Sequence, residues 1–168
     1  YLIPSYNGDM AARASMHNAQ CLAGMAFSNA LLGIVHSMAH KTGAAFSGGH
    51  IVHGCANAMY LPKVIQYNAK DPAAAKRYGE IAAHLGLAPD ADALVKHLRS
   101  MNKALDIPDG IQDYEGGMID EKEFLEKLPL VAELAVGDAC TGSNPRAITP
   151  AVMERLLKAC YYDTAVDF

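Results

Sequence analysis

The 168-residue chain has no tryptophan, and aromatic residues make up only 7% of it. Alanine, leucine and methionine are plentiful instead, which suits close-packed helices better than a sandwich of β-branched strands. Cysteine pairs are also missing. Cys21, Cys55, Cys140 and Cys160 lie far apart with no CxxC among them, which argues against a small disulfide scaffold and predicts free thiols in a reducing cytoplasm. There is no basic stripe: 14 lysines and arginines face 18 acidic residues, for a net charge of −4, so the electrostatic footprint of a nucleic-acid binder is absent. No apolar run is long enough for a bilayer. The most apolar stretch, CLAGMAFSNALLGIV, is broken by Ser28 and Asn29 and falls short of the about 20 residues a span needs. Neither a GxGxxG loop, nor βαβ alternation, nor a repeat of 20–50 residues is present. The opening YLIPSYNGDM has no initiator methionine and no signal-peptide pattern, and predicts a fragment of a longer protein.

A further absence is local. Between Gly33 and Pro62 stand His36, His40, His50 and His53, four of the seven histidines, without one carboxylate among them. The nearest acids along the chain are Asp9 and Asp71.

The length suits one domain with a core of its own. Helical periodicity runs from Asp9 to about Thr42, with Gly24 and the Ser28-Asn29 pair as places to kink or restart. This predicts one bent helix or two abutting ones. A glycine-rich loop, KTGAAFSGGH, follows, and HGCANAMYLPKVIQYNA predicts a helix kinked or ended near Leu61-Pro62. Asp71-Pro72 starts another helix that stops at Gly86, and Pro89-Asp90 opens one reaching about Leu105. After the turn-rich connector DIPDGIQDYEGGM, Asp120 and Glu123 form a capping-box-like start to the next helix. GDACTGSNPRAI reads as a loop, and Thr149-Pro150 caps a last helix to about Tyr162. The expectation is a single all-α unit, residues 1–168, of about six or seven helices.

His36 and His40, four positions apart on a helix, project one turn apart from the same face. His50 and His53 follow a glycine loop that lets the chain double back toward them. Neutral imidazole suits zinc, iron, copper and nickel, so the cluster resembles a partial coordination sphere. His17 lies in the polar start of the first helix, His84 and His97 sit on separate later helices, and all three read as structural or solvent-facing. The cysteines read as small buried hydrophobes rather than ligands, with Cys55 notable for lying close to His53.

AGMAFSNALLGIVHSMAHKTGA, HGCANAMYLPKVIQYN and DACTGSNPR together resemble the C-terminal helical domain of the iron-containing, group III alcohol dehydrogenases of the dehydroquinate-synthase-like superfamily. The resemblance runs nearly the whole chain in the family's order. It implies a helical metal-binding domain whose N-terminal nucleotide-binding domain lies outside this chain, together with an upstream Asp and His that complete the ligand set. Matched by motif, His36 and His53 would hold a divalent metal, Fe2+ by family, with Zn2+ not distinguished from it by ligand type. His50 competes with His53, because the stretch between HxxAH and HG is three residues longer than in many members. His40 would act at the catalytic side of the cleft, and Phe27 would line the substrate pocket.

The implied chemistry is hydride transfer between a small alcohol, or its aldehyde or ketone, and NAD or NADP. Little or no activity is expected of these residues alone. The implied partners are the missing domain and the small substrate, with a homo-oligomer compatible and neither nucleic acid nor membrane involved. A non-catalytic helical module that binds metal or another protein is the alternative the histidines leave open.

Overall fold

The computed structural model describes residues 1–43, 45–116 and 118–168. Ala44 of the expected glycine-rich loop and Gly117 of the expected connector lie outside them. The described residues form eight α-helices and no strand: α1 Leu2–Tyr6, α2 Met10–Ala30, α3 Ile34–Thr42, α4 His53–Asn68, α5 Pro72–His84, α6 Ala91–Ala104, α7 Glu121–Val136 and α8 Pro150–Tyr161. The all-α expectation holds. No single described helix is long and apolar enough to cross a membrane.

Side chains start most of these helices where the sequence places a cap. Asp9 accepts from the Ala11 and Ala12 amides, Asp71 from Ala74 and Asp90 from Ala93, at 2.7–3.0 Å, satisfying donors that a helix start otherwise leaves open. Asp120 accepts from the Glu123 amide at 3.0 Å, but the Glu123 carboxylate does not return the bond as a capping box would. It binds the Ser47 amide and hydroxyl, each at 2.8 Å, and so ties the loop after α3 to α7.

One expected interruption falls elsewhere, and an expected helix end at Pro62 is absent. The long N-terminal segment bends by 107° between α2 and α3, at Leu31 with φ +65°, rather than at Ser28-Asn29. The Ser28 hydroxyl and the Asn29 amide bond back to the Gly24 and Met25 carbonyls, and the helix continues through both. α4 runs through Pro62 without ending. A proline there leaves the carbonyl of Ala58, four residues back, without its helical donor, and Asn102 of α6 supplies one at 2.8 Å.

The main core joins α3, α4, α7 and α8. Ile34, Met38, Met59, Tyr60, Phe124, Leu128, Met153, Leu156 and Leu157 are all at most 2% exposed. A second cluster, Ile65, Ala82, Leu94 and Val95, packs α5 and α6 on the far face of α4. α3 and α4 therefore sit on a rigid base, and the histidines stand at their ends.

The SNPR segment locks that base. Asn144 and Asn68 exchange amide hydrogen bonds at 2.8 and 3.1 Å, and Asn144 also donates to the Arg146 carbonyl at 2.7 Å. Its Oδ1 faces the Ile34 amide at 3.5 Å, at the first residue of α3. Gly33 suits this approach, since a Cβ there would lie 3.1 Å from the same oxygen and would push the Asn144 side chain back by a few tenths of an ångström. Arg146 donates to the Tyr67 and Phe168 carbonyls and stacks over the Tyr67 ring.

Candidate metal centre

α3 carries His36 and His40 on one face, and α4 begins with His53, so the chain's return through residues 43–52 brings three imidazoles together. Ring centroids are 5.3 Å apart for His36 and His53, 5.4 Å for His40 and His53, and 6.1 Å for His36 and His40. His36 is half-buried, while His40 and His53 are exposed. His50 is exposed too, and its ring edge sits beside Gly43. The Phe27 ring stands 6.5 Å from that of His36 and is 47% exposed. His17 and His84 are exposed on α2 and α5, and His97 is half-buried on α6.

Burial first, and then the neighbouring His53 and His40, push the His36 pKa below its ordinary value. The neutral imidazole is thereby favoured, which is the ligating form. Two imidazoles holding one ion at about 2.1 Å place their ring centroids about 4.6–5.9 Å apart for interligand angles of roughly 90–130°. The His36–His53 separation falls inside this window with the rings tilted by 56°, whereas the His40 and His53 rings are stacked at 12°, so their in-plane lone pairs do not converge, and His36–His40 lies just outside it. His36 and His53 are therefore the pair whose spacing fits a shared divalent ion.

The carboxylate absent from residues 33–62 is supplied in space from nearly 100 residues on. Asp138, in the loop after α7, places Oδ2 3.3 Å from His40 Nδ1 and 2.9 Å from Lys41 Nζ, while its Oδ1 accepts the Cys140 amide at 3.0 Å. Its side chain is 10% exposed. Burial alone would raise its pKa, but hydrogen bonds from the Cys140 amide, Lys41, the Cys140 thiol and His40 outweigh that and hold it well below the usual carboxylate range. Thr141 pins the loop to α3, its hydroxyl lying 2.8 Å from Ser37 Oγ and 2.7 Å from the Ala135 carbonyl.

His40, Asp138 and Cys140 offer ligand atoms all within 4.8 Å of one another, a second spacing that suits a divalent ion. Sequence spacing alone did not single out Asp138 or Cys140. The only signal was their place in DACTGSNPR. Asn57 is a further neighbour, with Nδ2 2.9 Å from His53 Nε2 and its own Oδ1 buried without a partner. Beside His36, a mostly apolar cavity of about 410 Å³ opens between Leu31, Leu32, Val35, Asn57, Leu61 and Asn144.

Comparison with known proteins shows a family. Residues 2–161 match the family described as Fe-containing alcohol dehydrogenase, C-terminal. The chain is 51% identical to an NADPH-dependent butanol dehydrogenase of Clostridium saccharobutylicum, over 100% of its own length and 42% of that protein's. It is 41% identical to aldehyde-alcohol dehydrogenase 2 of Entamoeba histolytica, over 98% of its length and 20% of the other's. The iron-containing alcohol dehydrogenase of Thermococcus thioreducens superposes with a TM-score of 0.88 at 34% identity, covering 98% of this chain and 41% of that one. A 1,3-propanediol oxidoreductase structure gives 0.77 at 30% identity, covering 92% of this chain and 39% of that one. The chain thus spans less than half the length of each of these relatives.

Proposed function

The chain belongs to the iron-containing alcohol dehydrogenase family, matching its C-terminal part, and on that premise we propose that it is the metal-holding portion of an NAD(P)-linked dehydrogenase interconverting small alcohols and their aldehydes or ketones. The observation that carries this reading is the convergence of His36, His40 and His53 from two helices, with ring centroids 5.3–6.1 Å apart, at the positions the family motifs assign.

His36 and His53 are the metal ligands in this reading. His53 is preferred over His50 because its ring faces His36, whereas the His50 ring lies beside Gly43. The donor set suits Fe2+ and Zn2+ alike, and the family description favours iron. When bound, the ion polarises an alcohol or carbonyl oxygen as a Lewis acid, and a nicotinamide cofactor exchanges the hydride.

The remaining tasks fall to side chains of this chain. His40, on the exposed side of the cluster, takes up or delivers the hydroxyl proton, directly or through a water. Phe27 covers the substrate side of His36 and excludes water there. The apolar cavity beside His36 has room for a short alkyl chain. The nucleotide-binding domain is the partner that brings the cofactor, so the 168 residues alone turn over little or no alcohol.

An assay tests this: NADPH- and NADH-linked reduction of butanal by the chain alone, and by the chain joined to the nucleotide-binding domain of its butanol-dehydrogenase relative. Activity in the joined protein that His36→Ala and His53→Ala abolish supports the reading. A joined protein that folds and binds nucleotide, yet reduces no aldehyde or ketone, favours the helical metal-binding module instead.

A further inference from the structure

His40 has two ring nitrogens, and only a bare one can accept a proton. Neutral imidazole in water divides its proton between them, so a relay needs a neighbour that decides the matter. Asp138 is such a neighbour, on a different element and fixed from three directions. Asp138 Oδ1 holds the rigid Cys140 amide at 3.0 Å, and Oδ2 holds Lys41 Nζ at 2.9 Å and faces His40 Nδ1 at 3.3 Å. The loop that carries it is tied to α3 through Thr141 and Ser37. An ionised carboxylate only accepts hydrogen bonds.

We propose that Asp138 is a positioning residue for His40: by accepting Nδ1–H it fixes the ring's orientation and its Nδ1–H tautomer, leaving the Nε2 lone pair on the opposite edge to accept the substrate proton. The proposal rests on the reading of His40 as the proton relay. The same three side chains also have the spacing of a metal site, but the Lys41 ammonium already lies 2.9 Å from Asp138 Oδ2, and it repels a cation. Asp138 therefore orders the imidazole rather than a second ion.

The experiment is 15N NMR of the full, metal-free chain with labelled histidine rings at about pH 8, above the ordinary imidazole range; the His40 signals are identified by their loss in His40→Ala. Wild type is expected to show a protonated Nδ1 and a bare Nε2. In Asp138→Asn the Cys140 amide cannot rotate and keeps the amide oxygen. The new NH2 then turns to His40 and donates to Nδ1, and the proton moves to Nε2. Lys41→Met leaves the carboxylate in place and should keep the wild-type pattern.

In the intact enzyme Asp138→Asn should lower kcat about 10–100-fold, the usual range for losing such a partner, with KM nearly unchanged. A wild-type His40 protonated on Nε2, an Asp138→Asn ring still protonated on Nδ1, or a tautomer change in Lys41→Met as well would each overturn the proposal. A tautomer switch confined to Asp138→Asn, in an enzyme whose rate His40→Ala does not change, upholds the placement by Asp138 and refutes the relay role of His40.

Discussion

Asn144 joins the DACTGSNPR segment to the helix that carries His36, and its removal should be felt in both stability and metal binding. Asn144→Ala deletes a paired exchange with Asn68, a bond to the Arg146 carbonyl and the Oδ1 that faces the Ile34 amide. Asn68 is 2% exposed, so water cannot replace the partner of its amide oxygen, although its Nδ2 keeps the Tyr78 hydroxyl at 3.2 Å. A net bond is worth about 0.5–1.5 kcal/mol and a buried orphan costs about 1–3 kcal/mol, so the substitution should destabilise the chain by about 2–4 kcal/mol. Urea unfolding of wild type, Asn144→Ala, Asn68→Ala and the double variant measures this. The two residues share one network, so their effects should be non-additive by at least about 1 kcal/mol. Because the lost contacts hold the first turn of α3, divalent-metal affinity should fall as well. Additive effects, or a loss below about 0.5 kcal/mol, would refute the claim that this amide pair anchors the helix.

Other expectations follow from single contacts. Asn102→Ala should cost about 1–3 kcal/mol by orphaning the Ala58 carbonyl. The cost should shrink in a Pro62→Ala background, where residue 62 regains its own N–H; an equal cost in both backgrounds would show that Asn102 does not act through that carbonyl. Asp163 pairs with the 3%-exposed Lys63 at 2.7 Å and with Arg99 at 2.6 Å; although burial opposes it, these partners hold its pKa below the ordinary value. A depressed carboxylate pKa adds stability that is complete above the unfolded value of about 3.9 and is lost as pH falls through the folded one. Asp163→Asn should therefore lower stability at pH 7 by about 3 kcal/mol, by leaving Lys63 buried beside a neutral amide, and flatten the acid limb below about pH 4. An unchanged acid limb in thermal melts would contradict this.

Much of the fold can be read from local chemistry. Asp71-Pro72, Asp120 and Thr149-Pro150 mark helix starts because a cap and its helix are neighbours in sequence. What could not be read depends on partners far along the chain. α4 survives Pro62 only because Asn102 arrives from α6, and the chain turns at Leu31 rather than Ser28 because those side chains bond back to their own helix. The short α1 carries no capping side chain to announce it. The site divides in the same way. His36 and His40 are visible as an i, i+4 pair, and His53 as the start of the next helix. Asp138 reaches His40 only after α7 has packed on α3, a contact that no spacing in the sequence records.

The central claim is that His36 and His53 hold the ion. It is tested most directly by calorimetric titration with Zn2+, and anaerobically with Fe2+, of the chain joined to the N-terminal remainder of its butanol-dehydrogenase relative, beside His36→Ala, His53→Ala, His50→Ala and Cys140→Ala. One ion per chain, lost with His36 or His53 and kept with His50 and Cys140 replaced, is the predicted result. Binding that survives His53→Ala but disappears in His50→Ala or Cys140→Ala would place the ion elsewhere and contradict the account.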